Sequence, residues 1–147
     1  MKDHPARIPR WPYLLFRGTT ACLGILSVAQ AAFAGIFLSG HYDVLMAHLA
    51  TAMVMVAVAV VQAVTALFLR RAGGPRSVLL VGLLFPLLVA GQGGLGMGRV
   101  LSLHVPLGVL FVVGLLRLAA WAWRTPLPAR TQRVDTARDS QPVGALS

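Results

Sequence analysis

No glutamate occurs in this chain of 147 residues, and the four aspartates, Asp3, Asp43, Asp135 and Asp139, all lie outside its long apolar segments. Hydrolysis or group transfer by paired carboxylates therefore has no candidate residues, and a proton relay across a bilayer lacks the intramembrane acid that such relays use. Cysteine is almost as scarce. Cys22 stands alone, which excludes a disulfide framework, a Cys-x-x-Cys metal clip and thioether attachment of a prosthetic group. Charged residues make up 12% of the chain against 57% hydrophobic, with a mean hydropathy of +0.77, a balance too apolar for a soluble domain of this size.

What is there is hydrophobic sequence in four stretches. They read as spans over 14–39, 44–69, 77–97 and 101–123, each near or above the ~20 residues that cross ~30 Å of hydrocarbon. The sequence thus predicts an all-α transmembrane domain over 14–123. A net charge of +9 raises the question of nucleic acid, but the basic residues collect at segment ends and form no soluble basic face. Lys2, Arg7, Arg10 and Arg17 precede the first span, Arg70, Arg71 and Arg76 separate the second from the third, and Arg124, Arg130, Arg133 and Arg138 follow the last. Positive charge marks cytoplasmic loops, so both termini of this multi-pass protein are expected on the cytoplasmic side of the plasma membrane. The connections around 40–43 and 98–100 carry only Asp43 and Arg99 and are expected to face outward.

The ends of the chain differ from its middle. Residues 1–13 hold Pro5, Pro9 and Pro12, with Trp11 and Tyr13 placed to anchor an interfacial lead-in. Trp121 and Trp123 mark the same interface after the last span, and 124–147, polar and without apolar periodicity, reads as a disordered cytoplasmic tail. The basic start and Ala32-Phe33-Ala34 imitate a cleaved signal peptide. Because the apolar run continues to Leu38, and cleavage would leave three spans with a poorer charge distribution, the first helix is read as retained.

A repeat organises the core. Ala29-Gln30-Ala31-Ala32-Phe33-Ala34, late in the first span, resembles Gly91-Gln92-Gly93-Gly94-Leu95-Gly96, late in the third. Each is followed by a turn and a histidine, His48 eighteen positions after Gln30 and His104 twelve after Gln92. Two pseudo-symmetric helical hairpins follow, related by an axis along the membrane normal, with the histidines at matching depth. Short connections make sequence neighbours antiparallel, giving an up-down-up-down four-helix bundle. If its second and fourth spans are diagonal, the imidazoles face one another. Pro86 is expected to kink the third span, and Pro106 to sit harmlessly in the first turn of the fourth.

An imidazole in hydrocarbon is costly and tends to be kept for a role, so His48 and His104 are the leading site residues. His48, Ala52, Met55, Ala59 and Gln62 share one face of the second span, as His104, Gly108, Phe111 and Leu115 do on the fourth. Two neutral imidazoles from opposing helices are the axial ligand set of a six-coordinate haem iron suited to one-electron transfer. Non-covalent haem b, with His48 and His104 on its metal, is therefore the cofactor expectation. Ala52 and Gly108 would leave room for the macrocycle, and Arg99, His41 and Tyr42 are available to its propionates. The glycines at 91, 93, 94, 96 and 98 would allow close approach of a porphyrin or a helix. Gln30, Gln62 and Gln92 read as interhelical hydrogen-bonding groups worth about 1 kcal/mol each, Arg117 as a snorkelling side chain, and His4 as solvated. A zinc site would need His41 and Asp43 as further ligands. No catalytic residue is identified. The rival readings are a cofactor-free accessory subunit, with its Gly and Gln faces on another membrane protein, and a small-molecule carrier. Expected partners are the lipid bilayer and a redox or membrane-complex protein, not nucleic acid.

The paired histidines at the starts of the second and fourth spans resemble those of b-type membrane cytochromes, and more closely one four-helix half of haem A synthase, over roughly 30–116. That resemblance implies that His48 and His104 are axial haem ligands. Gln30, Gly40, His48, Gln92 and His104-Val105-Pro106-Leu107-Gly108 together also look like small four-helix membrane proteins of high-GC bacteria. Haem A synthase resembles a tandem of two such units, uses outer acidic residues and places an arginine directly after a ligand histidine. This chain is one unit, lacks glutamate and has Leu49 at that place, so the oxygenase chemistry is not carried over. Two-haem membrane cytochromes use four histidines, and the two inside these spans allow one bis-His haem per chain.

Overall fold

In hydrocarbon a main-chain N–H or C=O finds no water, so a spanning segment bonds internally even where Val and Ile are frequent. The computed structural model, which describes residues 10–126, follows this rule with α1 (Trp11–Leu38), a 3-10 turn (Tyr42–Val44), α2 (Leu45–Arg71), α3 (Arg76–Met97) and α4 (Leu101–Arg124). All four helices are long and apolar enough to cross a membrane, the architecture of a multi-pass membrane protein. No strand occurs among the described residues.

The three connections are built on the same cap. At the end of α1 the Gly40 and His41 N–H groups donate to the Phe37 and Ile36 carbonyls at 3.0 and 3.3 Å. Gly73 and Gly74 do the same for Arg70 and Leu69 at 3.1 and 2.9 Å, and Arg99 and Val100 for Gly96 and Leu95 at 3.1 and 2.9 Å. Each cap needs one left-handed residue, supplied by Gly40 (φ 97°), Gly73 (φ 86°) and, at the third, Arg99 (φ 58°). A side chain there costs about 1–2 kcal/mol that glycine would not.

The caps turn the chain back on itself, and neighbouring helices meet start to end. The Thr19 hydroxyl of α1 donates to Gln62 Oε1 of α2, Gly82 of α3 abuts Ala66 of α2, and His104 of α4 meets Gly96 of α3. No Cα of α2 comes within 8 Å of α4, nor any of α1 within 8 Å of α3, so α2 and α4 are diagonal. The α3–α4 seam is the sparsest of the four.

A few polar side chains join an apolar core, while the outer surface is apolar as well. Thr20, Ser27, Gln62 and Thr65 are buried, whereas Ile25, Leu80 and Leu87 are more than two-thirds exposed. Packing is also uneven along the axis. Phe16, Ala66, Leu69, Val78 and Ala122 fill the end that carries Arg17 and Arg70, and Leu23, Met55, Ala59, Phe85, Val89 and Leu115 continue the core inward. Past Leu23, Met55, Val89 and Leu115, no large side chain among the described residues is fully buried.

Four expectations need correction. Helix α1 starts at Trp11, three residues before the expected span, because Pro12 falls in the first turn, where its missing N–H is harmless. Arg17, expected to precede the first span, lies within the helix. It donates from Nε to the Ala122 carbonyl at 2.9 Å and from its terminal nitrogen to Thr125, with the Trp123 ring 5.6 Å away, so it closes the end of α4. Pro106 is the sixth residue of α4, not a first-turn residue, and leaves the Ser102 carbonyl without its usual donor. The last span ends at Arg124, one residue later than expected. Pro86 lies inside α3, which runs from Arg76 to Met97. The lead-in through residue 9, with Lys2, His4 and Arg7, and the tail beyond 126, with Arg130, Arg133 and Arg138, lie outside the described residues.

The Gly82–Ala66 contact leaves no space for growth, since a Cβ on Gly82 would lie 2.3 Å from that of Ala66. Gly82→Ala should lower stability by about 1–3 kcal/mol, read as an earlier unfolding midpoint in detergent. Adding Ala66→Gly should recover most of the loss. An unchanged midpoint for Gly82→Ala would contradict the close α2–α3 approach.

Candidate functional site

Each histidine is the fourth residue of its helix, α2 for His48 and α4 for His104. The unequal Gln-to-His spacings reconcile simply. Helix α1 runs three residues further past its glutamine than α3 does, and the first connection, which contains the 3-10 turn, is three residues longer. Counting seven residues from Leu23, Met55, Val89 and Phe111 in the outer part of the core reaches Gln30, His48, Gly96 and His104. Seven residues are about two helical turns, ~10.5 Å, so these four define one layer beyond the packed core.

In that layer the two imidazoles approach across the bundle. Their ring centroids are 6.4 Å apart with an interplanar angle of 71°. Both rings are partly buried, on the stripe that continues inward as Met55, Ala59 and Gln62 on α2 and as Phe111 and Leu115 on α4. The diagonal placement of the helices permits this. Adjacent helices would present the two side chains to a shared groove and not across a central space.

Helix α3 seats one ring. A Cβ on Gly96 would fall 3.1 Å from His104 Cε1 and 3.4 Å from Nδ1, so a larger residue would push the imidazole a few tenths of an ångström from its place against the backbone. His104 Nδ1 is 2.9 Å from the main-chain carbonyl of Gln92. A carbonyl only accepts, so this contact is a hydrogen bond when Nδ1 carries the proton and Nε2 the lone pair. The Gln92 amide lies in the same place, its two ends 3.2 Å from the His104 carbonyl oxygen and the Gly108 nitrogen. On the other hairpin the Gln30 main-chain carbonyl is beside the His48 ring. His48 Nδ1 and Gln30 Oε1 are nevertheless buried without a hydrogen-bond partner among the described residues.

The remaining expected site residues divide. Ala52 is partly buried one turn inward from His48, while the space beside Gly108 holds the Gln92 amide oxygen, 3.8 Å from where a Cβ would stand. Gly108 therefore serves Gln92 first. Gly91, Gly93 and Gly94 face open space, so of this cluster Gly96 is the one a neighbouring side chain requires. His41, Tyr42 and Arg99 are exposed in the connections at the histidine end, with Tyr42 edge-on to Phe37 at 5.3 Å. No group of three His, Cys, Asp or Glu able to hold a metal exists among the described residues, so a zinc set of His48, His104, His41 and Asp43 is not assembled. Sequence reasoning took Gln30 and Gln92 for interhelical hydrogen-bonding groups and missed that both stand at the histidines. The repeat itself carried that signal.

No family model, curated protein or solved structure matches this chain.

The cross-bundle pairing is open to direct chemical test. In a Cys22→Ala background, His48→Cys with His104→Cys should resist oxidation to a disulfide, because the Cα atoms are more than 8 Å apart and disulfides need less than about 7 Å. A short bis-maleimide should join the two. Ready disulfide formation would place α2 beside α4 and contradict the diagonal arrangement.

Proposed function

We propose that this integral membrane protein binds one b-type haem between His48 and His104 and acts in electron transfer or haem handling. The observation that carries the reading is the imidazole pair, 6.4 Å between centroids, projecting from diagonal helices into the end of the bundle that has no large buried side chains. Two Fe–N bonds of ~2 Å, with about 1 Å from each nitrogen to its ring centre, ask for about 6 Å. Among the described residues two donors meet with no third, which suits a metal that brings four ligands of its own.

When bound, haem would supply a one-electron couple. The chain's own residues have definable tasks around it. His48 and His104 would hold it. Gln92 holds the His104 ring through Nδ1, and Gly96 seats it. The apolar layer of Leu23, Met55, Val89 and Phe111 closes off the space beneath and keeps water from the buried side. Arg99, with His41 and Tyr42, offers a cation and hydrogen-bonding groups to the propionates. The basic loops support an outer-leaflet position for the site, with both termini cytoplasmic, in the plasma membrane. In this reading the chain is similar to one four-helix half of haem A synthase without its oxygenase chemistry.

Protein purified from haem-replete cells should show a Soret band and a low-spin bis-imidazole spectrum. His48→Ala and His104→Ala should each abolish the low-spin form. A missing Soret band, or one indifferent to both substitutions, would overturn the proposal in favour of a cofactor-free accessory subunit. Arg99 allows a second check with effects of opposite sign. Arg99→Gly should relieve the left-handed strain and raise stability by about 1 kcal/mol, yet weaken haem affinity about two- to fivefold, as for an exposed ion pair.

A further inference from the structure

The two hairpins treat their histidines alike in placement and differently in hydrogen bonding. On the second, the main-chain carbonyl of Gln92 lies 2.9 Å from His104 Nδ1 and is the acceptor for its proton. The Gln92 amide turns its nitrogen to the His104 carbonyl and its oxygen to the Gly108 N–H, each at 3.2 Å. The amide nitrogen is also 3.0 Å from Nδ1, but the carbonyl contact at 2.9 Å requires a protonated Nδ1, so the amide donates to the His104 carbonyl instead. On the first hairpin the main-chain carbonyl of Gln30 is again beside the ring, but His48 Nδ1 and Gln30 Oε1 are both left buried and unpartnered. With the proton on Nδ1 these orphans are complementary, one donor and one acceptor on neighbouring helices. A buried polar group without a partner costs more than a change of rotamer.

We infer that Gln30 and Gln92 are positioning residues, each supplying the acceptor that holds the proton on Nδ1 of its histidine and so leaves the Nε2 lone pair free. Neutral imidazole has one proton to place, and an acceptor at Nδ1 decides where it goes. An outer partner of this kind fixes the ring's orientation and raises its basicity as a ligand. The two are not equivalent. His104 Nδ1 has a main-chain carbonyl at 2.9 Å that no substitution removes, whereas His48 Nδ1 has no hydrogen-bond partner among the described residues, and the unpaired acceptor on its hairpin is the Gln30 amide oxygen. This rests on the reading of the pair as haem ligands, but the tautomer belongs to the protein without iron.

The test uses the full chain, free of haem, with 15N-labelled histidine in detergent micelles. The His48 and His104 signals are identified by their loss in His48→Ala and His104→Ala. In the neutral form of each ring the proton should be on Nδ1. Gln30→Leu should shift the His48 tautomer ratio about five- to tenfold toward Nε2–H, as expected for one lost hydrogen bond, and leave His104 alone. Gln92→Leu should leave the His104 tautomer in place. Gln30→Glu, which keeps an oxygen acceptor, should restore the Nδ1–H form. In haem-loaded protein Gln30→Leu should raise the midpoint potential and Gln30→Glu lower it. A wild-type His48 with its proton on Nε2, or a tautomer ratio indifferent to Gln30→Leu, would overturn the positioning role. Failure to take up haem would instead overturn the ligand reading while leaving the tautomer result standing.

Discussion

Hydrocarbon offers a polar group no partner, and most of this structure is arranged to supply partners from within the chain. Three caps of one design close the last carbonyls of α1, α2 and α3. The hydroxyls of Thr20, Ser27 and Thr65 bond carbonyls of their own helices. Arg17, an uncompensated cation inside a helix, is drawn across to the carbonyls at the end of α4 and ties the first helix to the last. Among the described residues four buried side-chain atoms are left without a partner: Arg10 Nε, Gln30 Oε1, His48 Nδ1 and Gln62 Nε2. Two of the four belong to the layer where the histidines meet. Unmet hydrogen-bonding capacity is therefore present where the apolar packing stops.

Packing and polarity divide the bundle along its axis. At one end Phe16, Leu69 and Val78 fill the interior, the arginine clamp closes it, and Gly82 lets α3 press against α2. At the other end the interior is lined by small residues and amphipathic groups, and the α3–α4 seam is thin. The arginine end and the middle of the bundle hold the large buried side chains. At the other end the two imidazoles approach to 6.4 Å between centroids.

The elements themselves were legible because hydropathy and length dominate a membrane segment: four apolar runs bounded by arginines and glycines can do little else. The inward stripe was legible too, since the 3.6-residue period that aligns His48 with Met55 and Gln62 is a property of the helix alone. Boundaries went astray where a local rule competed with hydropathy. Pro12 let α1 begin early, whereas α4 begins at Leu101 as expected and Pro106, five residues on, falls beyond its first turn. The glutamines were half legible. Their repeat showed in the sequence, but the partner of a flexible amide is set by distances between helices, which no local pattern encodes.

Composition and periodicity by themselves determined that this chain builds a bundle of four apolar helices, that it carries no carboxylate chemistry in its spans, and that its two intramembrane histidines share the inward faces of the second and fourth helices. Only the tertiary structure decided that those helices are diagonal, that the rings approach to 6.4 Å, and that Gln92 and Gly96 hold one of them while Gln30 stands beside the other. The reason is physical. A helix's own period fixes which face a residue occupies, but which face meets which depends on the fit of all four helices at once.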